Sequence, residues 1–288
     1  MNCEKEFLPF RLPPLYCKWL YVEFTPKSRM DMDSINNLEK FLAKIHSGQT
    51  CLGMVVSLSD STVSELAGDI GFDFTWIDAE HGPFTIDQIK QHIMACRGTD
   101  CAPFVRVPWN EHGIIKPVLD LAPAGVIIPM ICTAEQARYA VAACKYPPIG
   151  NRGCGVRRGS RYGSIPWDEY EETAKHTPFI ILQIEHIEAV RNLDEILEVP
   201  GIDSICIGPC DLSGTMGKLT KTTDPEVAAV IDEIAAKVHR KGIILGTADA
   251  VDAKARERGL QWIACAGDWG GIASAGRAAI KHARQVFG

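Results

Sequence analysis

Phe179-Ile180-Ile181-Leu182-Gln183-Ile184-Glu185 is an apolar run that closes on a carboxylate. Its near-continuous apolar character, without regular polar alternation, is what a strand buried on both faces requires, and such strands belong to parallel sheets covered by helices. Outward from this segment the same kind of run recurs at Gly53–Ser57, Phe74–Asp78, Pro103–Val107, Gly125–Pro129, Ser204–Gly208, Ile243–Thr247 and Trp262–Ala266. Helix-like stretches lie between them, at Ser61–Asp69, Ile86–Arg97, Ala134–Lys145, Ala189–Glu198, Pro225–Lys241 and Val251–Arg258. Eight such units over roughly 215 residues predict an α/β fold, the (β/α)8 TIM barrel, and no linker is present for a two-domain split.

The rest of the chain is arranged around that barrel. Residues 1–33 are rich in Pro and aromatics without helical or alternating periodicity, and are read as an irregular, extended N-terminal arm. Ser34 is placed to N-cap a helix whose one face carries Ile35, Leu38, Phe41, Leu42 and Ile45 and which ends near Gly48. Residues 34–288 are then one barrel domain. The interval 150–178, with four Arg and five Gly before Pro166, is expected to be a long loop on the active-site face or at an interface.

Composition removes several classes of function. Lys plus Arg is 30 and Asp plus Glu is 36, giving a net charge of −6 with no blocks of one sign, so no nucleic-acid surface or polybasic membrane patch is expected. No apolar run approaches the ~20 residues that span a bilayer. Glu4 and Glu6 and the lack of an apolar segment after them argue against a secretory signal, so a cytoplasmic location is expected. The 11 cysteines include Cys206 and Cys265 inside strand-like runs, which fits buried, reduced thiols better than a disulfide framework. Cys206 and Cys210 have no nearby Cys or His pair to complete a tetrahedral zinc site.

In this architecture chemistry sits where strands end. Glu185 and Asp211 terminate neighbouring strands about 4.8 Å apart, so their side chains can converge on an oxygen-ligated cation of the Mg²⁺ or Mn²⁺ kind. The competing reading is that either acid only caps the helix after its strand. Arg106 leaves an apolar strand, where its charge needs a substrate anion or an internal partner, Asp78 or Glu80. His81 is the one histidine at such a strand end and suits a general base, worth ~10²–10⁴ in rate, or an ordinary loop histidine. Asp120 either fixes the imidazole tautomer or is a helix-end carboxylate, which spacing alone favours. Gly208-Pro209-Cys210-Asp211 offers backbone amides at a helix start, a carboxylate cradle or a bare turn. No predicted strand carries the lysine a Schiff base requires, so metal activation of a carbonyl is preferred.

Trp76-Ile-Asp-Ala-Glu-His-Gly, Val105-Arg-Val-Pro-Trp-Asn, Val126-Ile-Ile-Pro-Met, Tyr146-Pro-Pro-Ile-Gly-Asn-Arg-Gly, Gln183-Ile-Glu and Ile207-Gly-Pro-Cys-Asp-Leu-Ser together resemble the metal-dependent, class II pyruvate aldolases of the 4-hydroxy-2-oxoheptanedioate aldolase and citrate lyase β-subunit family, related to macrophomate synthase. The resemblance runs in order from about Gly53 to the C-terminus. It implies a phosphoenolpyruvate/pyruvate-type barrel and a lyase that cleaves or forms 4-hydroxy-2-oxo acids through a pyruvate enolate. It implies Glu185 and Asp211 as ligands of a divalent cation, Mg²⁺ first, with Mn²⁺ or Co²⁺ as alternatives. Arg106 would bind the keto oxygen, Asp78 would orient Arg106, and His81 with Asp120 would form an acid–base dyad. Gln183 and the Gly208–Pro209–Cys210 turn would hold pyruvate. The implied partners are a small 2-oxo acid, an aldehyde and further copies of the chain in a hexamer. Oxaloacetate decarboxylation, macrophomate-synthase-like bond formation and a catalytically silent 2-oxo acid binding protein are the competing functions.

Overall fold

The computed structural model of the chain describes residues 35–249 and 251–288. Strands β1 (Cys51–Val56), β2 (Phe74–Asp78), β3 (Ala102–Arg106), β4 (Gly125–Ile128), β5 (Phe179–Ile184), β6 (Ser204–Ile207), β7 (Ile244–Ala248) and β8 (Trp262–Gly267) pair in sequence order and close as a parallel barrel. The (β/α)8 expectation is borne out. Helix α1 (Leu38–His46) precedes the barrel. Helices α2 (Thr62–Ile70), α3 (Ile86–Ala95), α4 (His112–Leu119), α5 (Ala134–Cys144), α6 (Trp167–Ala174), α7 (Ile187–Arg191), α8 (Leu193–Leu197), α9 (Pro209–Thr215), α10 (Pro225–Arg240) and α11 (Ala253–Glu257) lie between strands, and α12 (Asp268–Phe287) follows the last.

The arm expected at 1–33 and the Ser34 cap lie outside the described residues. Helix α1 itself starts at Leu38, after Asn37 in the left-handed region at φ 58°. The Asn37 side chain explains that start: its Nδ2 donates to the carbonyls of Cys96 and Cys101, at 3.1 and 2.8 Å, tying the helix entry to the β2–β3 connection. Two further expectations are corrected. The 150–178 interval, expected as a loop, contains α6. The single helix expected over Ala189–Glu198 is two, because Asn192 leaves helical geometry and donates its side-chain amide to the Cys132 carbonyl at 2.9 Å.

Strand side chains alternate between two cores. Outward residues such as Ile77, Val105, Val126, Ile180, Leu182 and Ile205 pack against the helices. Inward residues Phe74, Trp76, Phe104, Phe179, Ile181, Cys206 and Trp262 fill the barrel. Helix α1 seals the N-terminal mouth: the Phe41 ring meets Phe74, Phe104 and Phe179 edge-on, with centroids 5.8, 4.8 and 5.8 Å away. Gly246 makes room for Trp262, since a Cβ there would lie 1.9 Å from the indole.

Helix α12 behaves differently. Only Asp268 of its residues is buried, and Trp269, Ile272, Ile280, Val286 and Phe287 are exposed. The Asp268 carboxylate accepts the N–H groups of Ser57 and Leu58, both at 2.7 Å, fixing the start of the helix to the turn after β1.

Candidate active site

The inward parity that buries Phe74 and Trp76, Phe104, Ile181 and Cys206 continues two residues further to Asp78, Arg106, Gln183, Glu185 and Gly208. The strands thereby deliver polar groups to the C-terminal mouth, the other end from the aromatic plug. A cavity of about 200 Å³ opens there, lined by Val55, Trp76, His81, Arg106, Gln183, Ile207, Ala248 and the segment Gly208–Asp211.

Arg106 and Asp78 face each other in register across β2 and β3. The guanidinium donates from Nε to Asp78 Oδ1 at 2.9 Å and from Nη2 to Oδ2 at 2.7 Å, and its Nη1 lies 2.8 Å from Glu80 Oε2. Both internal partners considered from sequence are therefore present together. A guanidinium has five N–H donors, so these contacts leave donors on Nη1 and Nη2 for a ligand oxygen. The charge centre also lies 5.1 Å from the Trp76 ring, a cation–π contact that fixes the guanidinium plane. Sequence reasoning weighed Glu80 only as an ion-pair partner of Arg106, not as a further acid of the mouth. Glu80 is brought to Arg106 by the turn after β2, in which Gly82 donates its N–H to the Asp78 carbonyl at 2.9 Å.

Glu185 is 2% exposed and is the most perturbed carboxylate of the mouth. Burial pushes its pKa up to about 7, and the nearby Glu80 and Asp211 carboxylates push the same way, while the Met130 N–H, donated to Oε1 at 2.8 Å, pulls it down. The other oxygen receives the Gln183 side-chain amide. Gly208 is packed against this pair, and a Cβ on it would sit 2.6 Å from Glu185 Oε2 and 2.8 Å from Gln183 Nε2. A buried acid among other acids, with one arginine already committed to Asp78 and Glu80, fits a cation supplied from outside. Among the described residues, buried Trp76 Nε1 and Gln183 Oε1 at the mouth have no hydrogen-bond partner, as expected where a polar ligand sits.

His81 lines the cavity but is 65% exposed, with its Nε2 3.7 Å from Glu80. Its own N–H donates to Asp78 Oδ1 at 3.3 Å. Asp120 is not brought to it: that carboxylate ends α4, where it faces Arg152 Nη2 at 3.3 Å and packs beside Gly155. The helix-end reading of Asp120 is what one chain shows. The expected amide cradle is also narrower, because Gly208 donates its N–H to the Ile184 carbonyl at 3.0 Å and Pro209 has none. The remaining first-turn amides of α9 are those of Cys210 and Asp211.

The described cysteines, Cys206 and Cys210 among them, are all free thiols. No described helix is long and apolar enough to cross a membrane.

Residues 52–273 match the model of the HpcH/HpaI aldolase/citrate lyase family. A hydroxypyruvate/pyruvate aldolase from Roseobacter denitrificans is 36% identical over 253 residues, covering 86% of this chain and 98% of that protein. A 2-keto-3-deoxy-L-rhamnonate aldolase from Salmonella gallinarum is 36% identical over 224 residues, covering 77% of this chain and 83% of its own length. Among solved structures, macrophomate synthase superposes with a TM-score of 0.77 at 24% identity, over 87% of this chain and 90% of that one, a likeness of fold. The chain belongs to the HpcH/HpaI aldolase/citrate lyase family and is an enzyme of the carbon–carbon lyase class.

Proposed function

We propose that this lyase cleaves or forms 4-hydroxy-2-oxo acids through a pyruvate enolate, with Glu185 and Asp211 holding a divalent cation. The observation that carries the reading is the buried, charge-strained Glu185 beside Asp211 and Arg106. The relatives named for hydroxypyruvate, pyruvate and a 2-keto-3-deoxy sugar acid support the substrate class. An all-carboxylate donor set with room for water suits Mg²⁺ first, then Mn²⁺ or Co²⁺.

A cation held there supplies a Lewis acid to the keto oxygen of the substrate. Arg106, its plane set by Asp78, Glu80 and Trp76, donates its remaining N–H groups to that same oxygen as it gains negative charge. The Cys210 and Asp211 amides receive the substrate carboxylate, and Gln183 holds Glu185 in place. His81 accepts the proton of the 4-hydroxyl while the C3–C4 bond breaks. Its electron pair forms the enolate, and an aldehyde leaves.

Glu185→Gln or Asp211→Asn abolishes pyruvate release in a lactate-dehydrogenase-coupled assay, and EDTA does so reversibly. Full turnover by metal-free protein overturns the reading. Exposure of His81 and the pairing of Asp120 with Arg152 favour one second reading, oxaloacetate decarboxylation, which needs Arg106 and the acids but little of a base. His81→Ala separates the two, since decarboxylation survives a change that stops aldol cleavage.

The exposed apolar side chains of α12 support a homo-oligomer, with a hexamer as the form to test. Free thiols throughout the described residues support the cytoplasm as its location.

A further inference from the structure

Three donor groups of unlike chemistry converge outside the barrel mouth. Cys132 Sγ, an imidazole nitrogen of His186 and a carboxylate oxygen of Glu188 all lie within 4.8 Å of one another. Cys132 comes from the connection after β4, His186 is the N-cap of α7 after β5, and Glu188 is in the first turn of α7. Glu185 follows the inward parity of β5, so the next residue of an extended chain, His186, projects to the opposite side and meets the β4–α5 loop there.

The segments that carry these donors are already fastened together. Asn192 Nδ2 donates to the Cys132 carbonyl at 2.9 Å, Gln136 Oε1 accepts the Cys132 N–H at 2.7 Å, and Thr215 Oγ1 accepts the Ile187 N–H at 3.0 Å. The three donors thus approach one another on backbone whose position does not depend on any ligand. Their closeness needs only side-chain adjustment to reach coordination distances.

We propose that Cys132, His186 and Glu188 form a second cation site, selective for zinc-type ions and distinct from the oxygen-donor mouth. One thiolate, one imidazole and one carboxylate are the donors of a borderline-soft cation and are unsuited to Mg²⁺. Three protein ligands leave a fourth position for water. On binding, the Cys132 thiol releases its proton to solvent. His186 Nδ1 now accepts the Glu188 N–H at 3.1 Å. The metal either takes that nitrogen in place of the hydrogen bond or binds Nε2 after the ring proton moves to Nδ1.

Occupancy has a route to the catalytic mouth. Cys132 lies two residues beyond Met130, which sits in the left-handed region at φ 56° and donates its N–H to Glu185. Between them Ile131 donates to the Gln183 carbonyl at 3.3 Å. A metal on Cys132 therefore clamps the short loop that holds Glu185 and the β5 edge.

The test uses the full chain titrated with Co²⁺, read by thiolate-to-metal charge-transfer absorption in the near ultraviolet, and with Zn²⁺ in a calorimeter. The expected result is one thiolate-containing site whose absorption is lost in Cys132→Ser and whose affinity falls at least about tenfold in His186→Gln and in Glu188→Gln. The last two positions are only partly buried or exposed, so those variants keep the test alive if Cys132→Ser fails to fold. The absorption persists in Glu185→Gln. Absence of the absorption from the wild-type chain, its survival in folded Cys132→Ser, its loss in Cys210→Ser, or unchanged affinity in both His186→Gln and Glu188→Gln overturns the proposal.

Discussion

Arg106 and Asp78 meet as a two-point fork across register-paired positions of neighbouring strands, with bonds of 2.9 and 2.7 Å. Both ends are buried, so the fork fixes the guanidinium plane and the donors it turns to the cavity. Asp78→Asn keeps the shape but removes the charge and one acceptor. It should lower kcat/KM for pyruvate release by about 10²-fold, the usual cost of a misplaced reacting group, with little change in the circular dichroism spectrum. Steady-state kinetics with the coupled assay measures this, and an unchanged kcat/KM contradicts the orienting role.

Gly208→Ala is the smallest change that disturbs the acid pair. The added methyl would fall 2.6 Å from Glu185 Oε2, inside contact distance, so Glu185 or the β6–α9 turn must shift. A loss of about 10²-fold in kcat is expected with the barrel intact. Metal titration by calorimetry should show weakened binding in the same variant.

Metal affinity at the mouth should depend on pH near neutrality. The metal-free Glu185 carboxyl titrates at about 7, raised by burial, so below that pH a proton competes with the cation. The sign is fixed: affinity rises from pH 5.5 toward 7 by up to about tenfold per unit and levels off above. Calorimetric Kd values for Mn²⁺ across this range test it, and a flat profile rules Glu185 out as a ligand that must lose a proton.

Phe41→Ala should destabilise the protein by about 3–5 kcal/mol, as loss of a fully buried aromatic does. Phe41 is 1% exposed and touches three other rings that close the barrel floor. Denaturant unfolding followed by tryptophan fluorescence measures the change. Activity per folded molecule is expected to hold, because the floor lies at the far end of the barrel from Arg106.

The strands were legible because strands buried on both faces leave an unambiguous apolar record, and their polar ends named Asp78, Arg106, Gln183 and Glu185 without any knowledge of packing. Helix α4 forms despite Pro117, which local propensity counts against a helix, because tertiary packing of Ile115, Val118 and Leu119 overrides it. Helix α6 was hidden because its buried stripe is only Tyr170 and Ala174, too narrow to register beside four acids. The position of Asp120 depends on Arg152, 32 residues away on the glycine-rich loop. The Cys132, His186 and Glu188 cluster had no local signature, since Cys132 is separated from the other two by helices α5 and α6 and strand β5 and meets them only through the pairing of β4 with β5.

Helix α12 is about 30 Å long, continues directly from β8, and buries only Asp268 at its root. Mechanically it is a cantilever. Its Asp268 carboxylate joins it to Ser57 and Leu58, immediately beyond the strand whose Val55 lines the mouth. The root of the helix is thus sited beside the reaction chamber, at the opposite end of the barrel from its aromatic floor.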